Sequence, residues 1–74
     1  MEPILVKLKP GATSRRDEAH AGEEFGYVLS GTVTLFLGAR KFKVKKGECF
    51  YFKAAGEHYL KNTGRSTAGI LWLS

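Results

Sequence analysis

Four side chains in this chain have the types and spacing of a binding or metal-holding constellation. Glu18, His20 and Glu24 fall in the run Glu18-Ala19-His20-Ala21-Gly22-Glu23-Glu24, and His58 opens the run His58-Tyr59-Leu60-Lys61-Asn62. Residues two apart on an extended segment face the same way, so Glu18 and His20 point to one side, where Glu24 and His58 can join them from other strands. Two imidazoles and two carboxylates suit a divalent ion such as Zn, Mn, Fe or Ni, and an open coordination position is what chemistry at that ion requires. The same residues also read as interior histidines held by hydrogen bonds, with Glu18 facing water from the polar segment 13–19. Without an ion, two neighbouring carboxylates repel unless one takes up a proton.

The elements that must position these groups are strands. Short runs rich in Val, Leu, Phe and Tyr recur between glycine-containing breaks, and none has a helical period. We expect strands at Ile4 to Leu8, Glu24 to Leu29, Thr32 to Leu37, Lys41 to Lys45, Cys49 to Lys53, His58 to Lys61 and Ala68 to Leu73. In the most regular stretch Val33, Leu35 and Leu37 alternate with Thr32, Thr34 and Phe36. Gly38-Ala39 then stands where a two-residue hairpin with positive φ at its first position needs glycine. Ser30-Gly31, Lys46-Gly47 and Thr63-Gly64 mark other joins. So many short strands cannot bury both faces of one flat sheet, which leaves a sandwich or a barrel.

Composition narrows the class. Seventy-four residues make one domain, spanning 1–74, near the lower limit for a single unstapled core. Cys49 has no partner for a disulfide, which favours a reducing compartment. No basic segment followed by an apolar stretch opens the chain, and no apolar run is long enough for a bilayer, so no membrane contact and a cytoplasmic location are expected. The net charge of +5 raises the question of nucleic acid. Yet Lys41, Lys43, Lys45 and Lys46 alternate with Phe42 and Val44, as on the solvated face of a strand, and alternating lysines also guard a sheet edge. We therefore expect no direct nucleic-acid binding, and an acidic ligand or partner stays open.

Both stretches resemble the two conserved motifs of the cupin superfamily. Pro10-Gly11 through Glu18, His20, Glu24 and Gly31 is similar to the first motif, G-x5-H-x-H-x3-4-E-x6-G. Gly47 through His58 and Asn62 resembles the second, G-x5-P-x-G-x2-H-x3-N. The resemblance spans most of the chain and implies a small all-β cupin barrel, a double-stranded β-helix of jelly-roll type. In metal-binding cupins the ligands are two histidines and a glutamate from the first motif and one histidine from the second. His20, Glu24 and His58 match three of these, and Glu18 stands at the fourth position. Lys53 and Ala55 depart from the second motif in the turn before His58.

The run Gly22-Glu23-Glu24-Phe25-Gly26-Tyr27-Val28-Leu29 resembles the cupin domain at the C-terminus of bacterial helix-turn-helix transcription regulators. That resemblance implies a small-molecule sensor, with His20, Glu24 and His58 as its polar ligand-binding groups. The chain has no helix-turn-helix, so it reads either as an excised sensor or as a stand-alone cupin. The alternative is a metal-dependent dioxygenase, isomerase or decarboxylase, with Tyr27, Tyr51 and Tyr59 available as acids or serving structure. Cys49, beside Phe50, reads as a small buried hydrophobe rather than a nucleophile. Five Phe, three Tyr and Trp72 can supply much of a small core, while Tyr59 and Trp72 could equally sit on an outer face covered by a second subunit, and a homodimer is the expected assembly.

Overall fold

In the computed structural model, which describes residues 3–14, 22–53 and 56–73, seven strands form two antiparallel sheets. The strands are β1 (Pro3–Leu8), β2 (Glu23–Ser30), β3 (Thr32–Leu37), β4 (Arg40–Lys45), β5 (Cys49–Lys53), β6 (His58–Asn62) and β7 (Ala68–Leu73). Every expected strand is present, and four of them gain one residue at an end or at both. One sheet has the order β1-β7-β2-β5, the other β4-β3-β6. Among the described residues there is no helix, and none long and apolar enough to cross a membrane.

Side-chain parity assembles the core between the sheets. Val28, Ile70, Ala68, Leu8, Phe50, Phe52 and Trp72 come from the four-stranded sheet and Val33, Leu35, Val44 and Leu60 from the three-stranded one. Burying these groups, each worth roughly 1.5–3 kcal/mol when large and aliphatic or aromatic, drives association of the sheets. On the other face of β4, Lys41, Lys43 and Lys45 pair in register with Phe36, Thr34 and Thr32, so the lysines occupy the solvated side as expected.

Two glycines carry specific duties. Gly38 takes φ +60° in the Gly38-Ala39 hairpin, the conformation the two-residue turn demands. At Gly26 the Phe50 ring lies directly over the backbone: a Cβ there would come within 2.0 Å of the ring.

The sandwich is closed on one side and open on the other. Segment 11–14 runs along the outer edge of β6, with Ser14 N–H donating to Leu60 O at 2.7 Å and Asn62 N–H to Ala12 O at 2.9 Å. Across the molecule, β4 and β5 are both terminal strands of their sheets and do not pair with each other. The turn between them is tied to β2, through Gly47 N–H to Val28 O at 2.8 Å and Val28 N–H to Glu48 O at 3.0 Å, and to the end of β4, through Glu48 N–H to Lys45 O at 2.9 Å. A cleft therefore opens between the two strand edges.

Strand parity decides two positions here. Trp72 takes the core rather than the outer face: it is buried, with 8% of its surface exposed, because it shares the inward parity of Ile70. Cys49 is exposed rather than buried, because it pairs with Tyr27 on the outer face while Phe50 beside it turns inward.

Candidate functional site

Glu24 reaches the interior from β2 and His58 from the first position of β6, so the two approach each other from opposite sheets. His58 Nε2 lies 3.0 Å from Glu24 Oε2, and the two residues are 1% and 2% exposed. Trp72, on β7, donates its indole N–H to the other carboxylate oxygen, Glu24 Oε1, at 2.5 Å. His58 Nδ1 lies 3.0 Å from the Gly56 carbonyl oxygen. A carbonyl only accepts, so Nδ1 carries a hydrogen, and the contact between Nε2 and Oε2 must then contain a second proton. Whether that proton sits on nitrogen or oxygen, the pair has no net charge. Such neutrality is what a nearly sealed location requires.

Aromatic rings wall this pair. The Phe52 ring stands edge-on to His58 at 5.1 Å between centroids and to Trp72 at 6.5 Å, while Phe50 meets Trp72 edge-on at 5.2 Å. No described buried side-chain nitrogen or oxygen lacks a hydrogen-bond partner.

Asn62, the last motif residue, is structural. Its amide donates to Leu8 O and Ser66 O, both at 2.8 Å, and its Oδ1 accepts from Gly64 N–H at 2.8 Å. It thereby pins the end of β1 and the turn after β6 to one point.

The open volume lies beside the pair. The cleft between β4 and β5 measures about 520 Å³, and its inward wall is formed by Leu35, Leu37, Phe42, Val44, Phe50 and Phe52. Phe52 is common to both regions, packing on His58 and lining the cleft. A smaller hollow of about 240 Å³ adjoins Leu37, Arg40, Phe52 and Gly56 at the hairpin end.

Of the residues singled out from the sequence, the structure brings Glu24 and His58 together, while Glu18 and His20 lie outside the described residues, as does Ala55. Among the described residues no three His, Cys, Asp or Glu side chains converge on a metal position. The donors that are described fit such an ion in one respect. Holding Nδ1–H on a backbone carbonyl leaves Nε2 as the ligating nitrogen, the usual outer arrangement for a metal-bound histidine. Trp72 and Arg40 were missed by motif reasoning. Their signal is strand parity: each stands two residues from an inward apolar position.

The candidate acids have separate environments. Tyr59 stacks on Phe36, with centroids 4.7 Å apart and planes 10° from parallel, on the outer face of the three-stranded sheet. Tyr27 and Tyr51 lie on the outer face of the other sheet. A hydrogen bond to the Glu23 carboxylate, helped by partial desolvation and by the same negative charge, holds the Tyr51 phenol above its ordinary value of 10.0. None of the three touches the Glu24–His58 pair through a described hydrogen bond.

Against known proteins, the family described as "Cupin domain" matches residues 4–74. The HTH-type transcriptional regulator PuuR of Escherichia coli (strain K12) is 26% identical over 68 residues, which is 92% of this chain and 37% of the regulator. The chain thus spans little more than a third of that relative. Among solved structures, the Cupin_2 domain of an XRE family transcriptional regulator from Enterobacter cloacae superposes with TM-score 0.84 at 21% identity, covering 95% of this chain and 75% of that one. A predicted oxalate decarboxylase from Thermotoga maritima gives the same TM-score and identity, covering 95% of this chain and 61% of its own. These likenesses confirm the all-β fold and relate the chain to cupins associated with regulators.

Proposed function

This chain belongs to the cupin family, and we propose that it serves as a small-molecule-binding domain of the sensing kind. The observation that carries the reading is the cleft of about 520 Å³ between the free edges of β4 and β5. Its size falls within the roughly 300–1,000 Å³ range of small-ligand sites, and its apolar inner wall is ringed by polar groups, Arg40, Lys43, Glu48 and Tyr51, that can orient a ligand. The likeness to PuuR and to the Enterobacter cloacae regulator domain supports placing that binding in a regulatory setting.

In this reading Glu24 and His58 act behind the cleft wall, through Phe52, which packs on His58 and faces the ligand. A ligand shifts an attached domain or a partner subunit only as far as it prefers one arrangement of this wall over another. The homodimer of this reading forms through the outer face of the four-stranded sheet, where Leu5, Tyr27, Leu29 and Tyr51 are exposed. A thermal-shift screen of the purified chain against a broad metabolite panel tests the proposal. Stabilisation by a defined chemical subset is expected, and the absence of any shift across the panel removes it.

A second reading is favoured by one observation, the Gly56 carbonyl that orients His58. Glu18, His20, Glu24 and His58 would hold a divalent ion, which when bound supplies Lewis-acid activation of an oxygen ligand. The chain's own part would be to present Nε2 of His58 and Oε2 of Glu24, with Trp72 fixing the carboxylate through Oε1. Equilibrium dialysis against Mn, Fe, Ni or Zn followed by elemental analysis decides it. Stoichiometric retention lost in Glu24→Gln supports the ion, and substoichiometric retention of all four metals rejects it.

A further inference from the structure

The inward face of β4 reads Arg40, Phe42, Val44, and this places an arginine in a row whose other members are apolar. Register confirms the parity: Val44 pairs with Val33, Phe42 with Leu35 and Arg40 with Leu37, all on the side of the core. The two-residue Gly38-Ala39 turn holds Arg40 at the rim, and its guanidinium carbon stands 5.0 Å from the centre of the Phe42 ring. Among the described residues no carboxylate is within ion-pair distance of Arg40. Arg40 lines both the main cleft and the smaller hollow, so its charge commands one end of the open volume.

The remaining ionised groups at the rim sharpen the polarity. Lys43 and Lys53 belong by register to outer faces, opposite Thr34 and Glu23, yet Lys43 also lines the main cleft, and Lys53 and Glu57 line the smaller hollow beside Arg40. Glu48 stands at the far end of β4, where its carboxylate accepts from Lys45 N–H at 2.8 Å. The main cleft therefore carries Arg40 at one end, Lys43 along its rim and Glu48 at the other end, around an apolar inner wall, and an anionic group is favoured on the Arg40 side.

We propose that the cleft takes an organic anion, an aromatic or branched apolar body seated on Leu35, Phe42, Val44, Phe50 and Phe52, with a terminal carboxylate or sulfonate on Arg40. The inference rests on reading the cleft as a small-molecule pocket. A guanidinium held on an aromatic face keeps its planar fork free for bidentate contact with an oxyanion, which a lysine does not match. The competing role for an inward charge near a sheet edge is protection from strand pairing. That role gives no preference between charged and neutral ligands.

Two fluorescent probes of nearly the same ring frame separate these roles in the intact chain: 8-anilinonaphthalene-1-sulfonate, an anion, and N-phenyl-1-naphthylamine, which is uncharged. Both are expected to bind the wild type. Arg40→Gln is expected to weaken the anionic probe by about tenfold or more, the worth of a charge-assisted hydrogen bond, and to leave the neutral probe unchanged. Arg40→Lys should recover part of the loss, and 4-phenylbutyrate should displace the sulfonate from the wild type. Lys61→Gln, which removes the same charge from the outer face of β6, should change neither titration. Equal effects of Arg40→Gln on both probes, no effect on either, or an equal loss with Lys61→Gln would overturn the anion assignment while leaving the pocket intact. Failure of both probes to bind the wild type would instead remove the pocket reading itself. Circular dichroism of each variant confirms that the fold is retained.

Discussion

Glu24 and His58 meet across the two sheets at 3.0 Å, each almost without solvent, and the Gly56 carbonyl on the far side of the imidazole obliges their contact to hold a proton. The arrangement sets apart two substitutions at one position. Glu24→Gln can keep every described contact, since its amide oxygen accepts from the Trp72 indole and its amide nitrogen donates to neutral His58. Its stability should fall by less than about 1 kcal/mol, near the net worth of one hydrogen bond. Glu24→Ala strands the Trp72 and His58 groups in an apolar wall and opens a void, and should cost about 2–5 kcal/mol. Urea unfolding of both variants measures the difference, and equal losses would contradict the shared-proton arrangement.

Asn62 uses its amide fully, as donor to Leu8 O and Ser66 O and as acceptor from Gly64 N–H. Asn62→Asp sets an oxygen against two carbonyl oxygens that can only accept. It is expected to be at least as destabilising as Asn62→Ala, with each loss about 2–4 kcal/mol from unpaired buried groups. If thermal denaturation showed Asn62→Asp close to the wild type, these bonds would not be what pins the end of β1.

Gly26 lies under the Phe50 ring, and the 2.0 Å approach of an added Cβ cannot be absorbed without moving that ring. Gly26→Ala should cost about 1–3 kcal/mol through overpacking. Phe50→Leu withdraws the obstructing ring atoms, so the double variant should be less destabilised than the sum of the two single changes. Additive losses in denaturant unfolding would show that the glycine answers to something other than this ring.

The Tyr51 phenol is held above 10.0, first by its hydrogen bond to Glu23, then by partial desolvation and the Glu23 charge. A raised value favours the neutral form in the folded state. Any stability it lends is complete below the unfolded value near 10 and is lost as pH rises through the folded value. The group is more than half exposed, so the effect is expected in titration rather than in stability. Absorbance titration at alkaline pH should show a late-ionising component from Tyr51, identified by its loss in Tyr51→Phe, moved towards the ordinary value by Glu23→Gln and unmoved by Glu48→Gln.

Much of this architecture is legible in the sequence, because alternation of Val33, Leu35 and Leu37 with Thr32, Thr34 and Phe36 can satisfy a half-buried strand in one way only. Gly38 marks its hairpin by the same logic, since only glycine takes the positive φ cheaply. The motif residues Glu24 and His58 were found from spacing and do meet. What spacing could not supply was which contacts cross the sandwich. Residue type alone leaves Trp72 open to the core or an outer face and suggests the interior for Cys49, whereas strand parity turns Trp72 inward and Cys49 outward once β2 is seen between β5 and β7. Arg40 escaped notice for a related reason: the lysines after it drew attention to net charge, while its own parity matches Phe42. The cleft follows from which strands end the sheets, and that is a property of long-range pairing rather than of any local run.

The four-stranded sheet presents an outer row of Leu5, Leu71, Tyr27 and Cys49 across all its strands, with Phe25, Leu73 and Tyr51 in the next row. Leu5 and Tyr51 are each 57% exposed, Leu29 43% and Tyr27 38%, so the row is an apolar face at the surface. A second copy set against it would be matched to itself by a twofold axis, the usual symmetry of a dimer. Sedimentation equilibrium should give twice the chain mass, and Leu5→Glu should shift the chain to a monomer by burying an unpaired charge in the apolar face. Lys61→Glu, on the opposite sheet, should leave the dimer intact. A wild-type monomer at high micromolar concentration, or dissociation caused equally by both variants, would place the contact elsewhere or remove it.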